Sequence, residues 1–263
     1  MTDIELDETP QEQPRRLHFE WLLPTLISPR RTLTAIASKE KAVWLTPLLV
    51  LSILAIALVL IAGPVRQQMT QTDGTLPKDF EYWSMEQQQA YLQTTQSNSG
   101  PMFIYIFPAL GALLGIWINW LLLSILLHLG LTLVGSRSSS AASFNLVGWA
   151  SLPLGLRSIV QGIAILSTHS LIQGQGLSGF VTPAGGFSTF ASALLGFVDI
   201  YFLWMVALLL IGVRPMSHLS RAKAWTVTLF IVLLTLSLRS LPAFIAGQLG
   251  GLLNGGGGGF LFF

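Results

Sequence analysis

Cysteine is absent from this 263-residue chain, which excludes disulfides, thiol nucleophiles and thiolate metal sites. Charge is scarce as well. Only 10% of the residues are charged, against about a quarter in a soluble domain, while 52% are hydrophobic and the mean hydropathy is +0.64. From Gln87 to the C-terminus a single acidic residue remains, Asp199, inside an apolar stretch. Two membrane carboxylates, the requirement of an intramembrane aspartyl protease, are thus missing. The histidines, His18, His128, His169 and His218, are scattered, with no H-E-x-x-H spacing for a zinc protease, and no G-x-S-x-G elbow occurs. Gly174, Gly176 and Gly179 fit G-x-G-x-x-G, but no strand-like run precedes them and no acidic residue follows at the dinucleotide-binding distance. We expect no enzyme, no catalytic residue, no cofactor and no metal.

What the chain does have is long hydrophobic runs. A bilayer core of ~30 Å needs about 20 apolar residues in a helix. Five stretches qualify, at about 43–62, 104–134, 144–166, 190–213 and 224–249, so the fold expected is an all-α polytopic membrane bundle with five transmembrane helices. The first run begins behind a charged segment and is too long for a signal-peptide core, so no cleaved leader is expected. The second is too long for one perpendicular crossing, and Pro108 is placed to break it near its start. Gly111 and Gly115 within it form a small-xxx-small pair, a spacing that suits close helix approach but is also common in spanning helices.

Basic residues orient the bundle. Arg15, Arg16, Arg30, Arg31, Lys39 and Lys41 precede the first span, Arg137 follows the second, and Arg214, Arg221 and Lys223 join the fourth to the fifth. The other side holds only Arg66 and Lys78, in the loop at 64–101. The positive-inside rule then puts the N-terminus in the cytoplasm and the C-terminus outside. Trp44, Trp149 and Trp225, near the starts of the odd-numbered spans, fit an interfacial aromatic belt. The pI near 9.2 accompanies a net charge of only +2, and the basic residues border apolar runs, so nucleic acid is not an expected partner.

Outside the spans, residues 1–14 are acidic and poor in large apolar groups, which predicts disorder. Residues 15–42 interleave leucines and aromatics with arginines. They read as a cytoplasmic amphipathic segment lying on the lipid surface, with Arg15, Arg16, Trp21, Arg30 and Arg31 as candidate membrane-surface contacts. The first loop, outside the cytoplasm, carries a helix-forming stretch from Asp79 with Phe80, Trp83 and Tyr91 to pack it. The C-terminal 250–263 segment is glycine-rich, and helix is not expected through its glycine run.

Three charges fall within the spans: Arg157, Asp199 and Arg239. Counted at 1.5 Å per residue, Arg157 and Asp199 both lie about 13–14 Å below the outer boundary, with Arg239 at a similar depth. A lone carboxylate in hydrocarbon is costly, so a pair or a three-member cluster is expected. Such a cluster suits either a structural brace or a polar path for a transported substrate. Pro153 and Pro242 cannot donate to the carbonyls of Trp149 and Leu238, so each span is expected to kink near its arginine.

Several stretches together resemble a known family. Trp21, Pro24 and Pro29 precede the first span; the third contains G-W-A-S-L-P at 148–153; the fourth contains V-D-I-Y-F-L-W-M-V-A-L-L-L-I-G at 198–212, leading into a short basic loop and Ala222 to Ala224. With five spans and a glycine-rich tail, the chain resembles the Yip-domain family from about Trp21 onward, and its bacterial members in particular. The resemblance implies a non-enzymatic, multi-pass protein of a bacterial plasma membrane whose partners are the lipid bilayer and other membrane or cytoplasmic proteins. Eukaryotic members are associated with membrane trafficking and Rab-type GTPases. It carries over no catalytic residue. The rival reading is a transporter or permeation subunit built on Arg157, Asp199 and Arg239.

Overall fold

The computed structural model describes residues 17–37, 39, 41–72, 79–98, 100–172, 174–182 and 187–254. Every regular element among them is helical: α1 (Leu22–Ile27), α2 (Pro29–Ala37), α3 (Leu45–Thr72), α4 (Met85–Asn98), α5 (Phe107–Leu133), α6 (Ser140–Ala150), α7 (Leu152–Thr168), α8 (Phe187–Gly196), α9 (Ile200–Ser217) and α10 (Arg221–Asn254). Residues 1–16, including Arg15 and Arg16, and the glycine run after Asn254 lie outside the described residues.

Five stretches are long and apolar enough to cross a membrane: Leu45–Met69, Met102–Leu133, Ser140–Thr168, Ile200–Ser217 and Arg221–Ala246. Their outward faces are as apolar as their inward ones. Along α5, Leu110, Leu114, Ile118, Leu121, Ile125 and Leu129 form an exposed stripe, while Trp120, Leu123, Leu127 and Leu131 are buried on the opposite face. A helix that is hydrophobic all round is at home in lipid.

Several boundaries differ from the sequence reading, each for a physical reason. Pro64 does not end the first span; α3 runs through it to Thr72, as membrane helices tolerate proline when neighbours satisfy the freed carbonyl. Beside it Gly63 leaves the space that the Tyr105 ring occupies. Pro108 does not break the second run either, because it stands in the first turn of α5, directly after a widened π-type turn at Met102–Ile106. The third span does break, at Ser151, two residues before Pro153. Pro242, in contrast, lies within an unbroken α10 that continues to Asn254. The stretch read as one crossing at 190–213 is two helices, α8 and α9, parted at residues 197–199.

Gly115, whose spacing from Gly111 suits close approach but is also common in spanning helices, faces open space. Close approach occurs instead along α6 and α7, where Gly148, Gly155 and Gly162, seven residues apart, meet α3 side chains: Trp44 just before the helix and Leu51, Leu54, Leu58 and Ile61 along it. α3 packs against α5 and α7, and α10 against α5 and α9.

The core lies towards one end. Leu33 and Ile36 of α2, Leu48, Leu127, Leu131, Leu146, Trp149, Leu208, Leu209 and Val213 are all essentially inaccessible. This is the end where the basic residues gather, since Ser136 Oγ donates to the Ser217 carbonyl at 3.1 Å and so ties the α5–α6 connection to the end of α9. The 41–43 segment is fastened to the same end. Asn145 accepts from Val43 N–H (2.8 Å) and donates to the Lys41 carbonyl (3.0 Å), and the Trp149 indole donates to the Val43 carbonyl (3.1 Å). Trp149 is therefore no belt residue; it is 0% exposed. In the first loop Phe80, Trp83 and Tyr91 pack on one another, with centroids 5.6–5.7 Å apart, to stabilise the turn before α4.

Candidate functional site

Away from the dense basic end, the fourth apolar stretch is interrupted where Asp199 stands. Asp199 has extended backbone (φ −141°, ψ −177°) and its Oδ1 accepts from Phe202 N–H at 2.8 Å, so it is the N-cap of α9. A carboxylate there satisfies one of the orphan donors of the first turn and meets the positive end of the helix dipole. The other oxygen, Oδ2, accepts from Arg157 Nε of α7 at 3.0 Å, with the two side chains 18% and 17% exposed. The pair runs between a helix interior and a helix start.

Breaking a helix orphans carbonyls at the end of α8, and the chain meets this with a loop from the far side of α7. Leu177 N–H donates to the carbonyls of Leu195 (2.9 Å) and Val198 (3.0 Å). To come so close, Gly176 adopts φ +60°, and a Cβ there would stand 2.7–2.8 Å from the carbonyl oxygens of Val198, Gly196 and Leu195. The same loop presents Gln175, whose Oε1 accepts from Arg157 Nη2 at 3.2 Å. One arginine therefore holds both the loop and the break. The glycine-rich sequence dismissed as a dinucleotide motif is a backbone clasp.

Arg239 of α10 reaches the same break by another route. Its guanidinium lies 4.2 Å from the centroid of the Phe197 ring, a cation–π contact. Among the described residues no carboxylate stands within ion-pair distance of it. Arg157 and Arg239 also line a cavity of about 340 Å³ between α3, α5, α7, α9 and α10, whose polar groups include Asn119, Ser158, Gln161 and Thr235. Counted from the basic end at ~1.5 Å per residue, each of the three charges lies about 26–27 Å along its span, so they share one level. Beyond that level α7 runs on to Thr168 and α10 to Asn254, while α9 begins there.

No three of His, Cys, Asp and Glu converge among the described residues, and neither oxygen of Asp199 is left without a donor. Of the remaining candidates, Arg15 and Arg16 lie outside the described residues, and the others lie at the basic end. Arg30 and Arg31 are exposed on α2, but Trp21 is turned inward, stacked on His18 at 4.2 Å and tilted against Trp149 at 5.7 Å. Sequence reasoning missed the clasp and the break. Asp199 ahead of an apolar run was itself an N-cap signal.

No curated protein and no solved structure matches the chain. A family model for the Yip1 domain matches residues 24–241, from α1 through most of α10, and encloses Arg157, Asp199 and Arg239. Covering most of the sequence, and fitting a bundle with five membrane-length apolar helices, that match places the chain in the Yip1 domain family as a multi-pass membrane protein.

Proposed function

We propose that this protein is a non-enzymatic module that organises the membrane or its protein partners from its basic end, with that end in the cytoplasm and the C-terminus outside. One observation carries the reading: the N-terminal helices form a fixed amphipathic collar. Thr25, Thr32, Leu33 and Ile36 are buried against the bundle, and His18 N–H donates to Thr46 Oγ1 at 2.9 Å. Gly212 of α9 lets Leu33 and Leu146 approach its backbone. The opposite face is apolar yet exposed, with Leu23 at 69% and Ile27 at 79%, beside the exposed Arg30 and Arg31. Exposed apolar groups held on a rigid support and rimmed by arginines suit docking to lipid or to another protein.

The test is purification of the tagged protein from its own cells in mild detergent, with quantitative mass spectrometry of what accompanies it. The wild type retains a partner in fixed ratio, and Leu23→Glu with Ile27→Glu lowers the recovery roughly ten-fold or more while leaving the melting temperature unchanged. Monodisperse wild-type protein with no companion sinks the reading.

Orientation has its own measurement, made clean by the absence of cysteine. Ser170→Cys, beyond α7, is expected to react with a membrane-impermeant maleimide in intact cells. Ser220→Cys, between α9 and α10, is expected to react only after permeabilisation. The reverse pattern inverts the topology.

A second reading, a permeation path for an anion, is favoured by the cavity beside Arg239. Against it stands the full engagement of Asp199, which supports a structural brace.

A further inference from the structure

At the basic end, between α2, the last turns of α9 and the start of α10, runs an open groove of about 640 Å³. Arg30, Arg214 and Arg221, from three separate helices, converge on it together with His218, and no aspartate or glutamate lines it. None of the three guanidiniums has a carboxylate partner among the described residues. Gathering like charges without counter-charge is unfavourable unless an anion compensates them.

The groove has two characters. Leu210 and Ile211 belong to the span Ile200–Ser217 and make an apolar floor that descends towards the bilayer interior, whereas the basic groups stand where α9 ends and α10 begins. Trp225 forms a wall between these zones. Its indole N–H donates to the Leu210 carbonyl at 3.0 Å, which fixes the ring, and the Arg221 guanidinium lies over that ring 4.0 Å from the centroid. Arg221 is therefore held in place before any ligand arrives. A basic rim above an apolar floor, at the height where a span leaves the membrane, matches a phospholipid: phosphate oxygens among the guanidiniums and an acyl chain along Leu210 and Ile211.

We propose that this groove binds the headgroup of an anionic phospholipid from the surrounding bilayer. The inference needs only that the chain spans a membrane, and it stands or falls independently of a protein partner. It differs from general attraction of basic residues to a charged leaflet in assigning the lipid to one groove with one stoichiometry.

The full chain, purified in a neutral detergent, is titrated with phosphatidylglycerol or with phosphatidylcholine of the same acyl chains. Bound lipid is counted by native mass spectrometry and melting temperature is followed in parallel. One phosphatidylglycerol is expected to remain bound preferentially and to raise the melting temperature. The triple variant Arg30→Gln, Arg214→Gln and Arg221→Gln loses about ten-fold or more of that retention. A control with equal loss of charge outside the groove, Lys41→Gln, Arg137→Gln and Lys223→Gln, retains the lipid. Equal loss in both variants would mean diffuse charge attraction and overturns the proposal. So does a wild type that does not distinguish the two lipids, a result that requires no variant to fold. Two soluble competitors complete the test. Full displacement by inorganic phosphate or glycerol phosphate at millimolar concentration reassigns the groove to a free phosphate. Displacement by an acidic peptide, with no lipid retained, reassigns it to a protein.

Discussion

Asp199→Ala is expected to cost this protein about 3–5 kcal/mol of stability, because it leaves Arg157 charged and shielded without its counter-ion. Loss of the cap on Phe202 N–H adds about 1 kcal/mol. Together these correspond to a fall of roughly 10 °C or more in melting temperature in detergent. Asp199→Asn separates the two contributions. The amide oxygen can still accept from Phe202 N–H, so the cap persists while the ion pair with Arg157 is lost. Combining Arg157→Gln with Asp199→Asn removes both charges and is expected to be less damaging than the two single changes summed, the sign of a direct pair in a double-mutant cycle. A transported anion would give another pattern: Asp199→Asn would be as stable as the wild type and would change only flux in liposomes. Unchanged melting of Asp199→Ala would sink the brace.

The parts of this fold legible in the sequence are those governed by long-range composition. Runs of apolar residues announce the five crossings, and scarcity of charge makes a basic partner for Asp199 almost obligatory, with Arg157 and Arg239 as the candidates. Local backbone chemistry was harder to read. In the apolar run around Gly196, Phe197 and Val198 the one helix-stop residue is Gly196, the last of α8, and glycine is frequent within spanning helices, so the break was visible mainly through Asp199 as a capping residue rather than as a buried charge. Trp149 illustrates a different loss. Counting residues from a span boundary suggests a place at the interface, but Asn145 and Trp149 are four apart on one face of α6 and both bond to the 41–43 segment. That shared face, not depth, decides their environment. The seven-residue spacing of Gly148, Gly155 and Gly162 was legible too, had the pattern been sought across the break at Ser151 instead of within one span.

Gly176→Ala is expected to undo the clasp that makes a broken fourth span tolerable. Two effects add. An L-residue held at φ +60° carries about 1–2 kcal/mol of strain, and the new Cβ meets three carbonyl oxygens at 2.7–2.8 Å. Those oxygens belong to the backbone of residues 195–198 and cannot swing aside like a side chain, so the loop must withdraw. Withdrawal removes Leu177 N–H from the Leu195 and Val198 carbonyls that share it, one bifurcated bond whose loss costs about 1–2 kcal/mol. The expected total is about 2–4 kcal/mol. Two neighbours calibrate the result. Gly174 also has positive φ (+62°), but an added Cβ has no atom nearer than 3.7 Å, so Gly174→Ala should show the conformational cost alone. At Gly179 the added atom enters open space, and Gly179→Ala should be nearly neutral. Equal melting temperatures for Gly176→Ala and Gly174→Ala would mean that carbonyl crowding contributes nothing, and the clasp would have to be abandoned. If the loop does withdraw, it takes Gln175 from Arg157. Gly176→Ala and Asp199→Asn should then be non-additive, since each loosens one of the two contacts by which Arg157 joins the loop to α9.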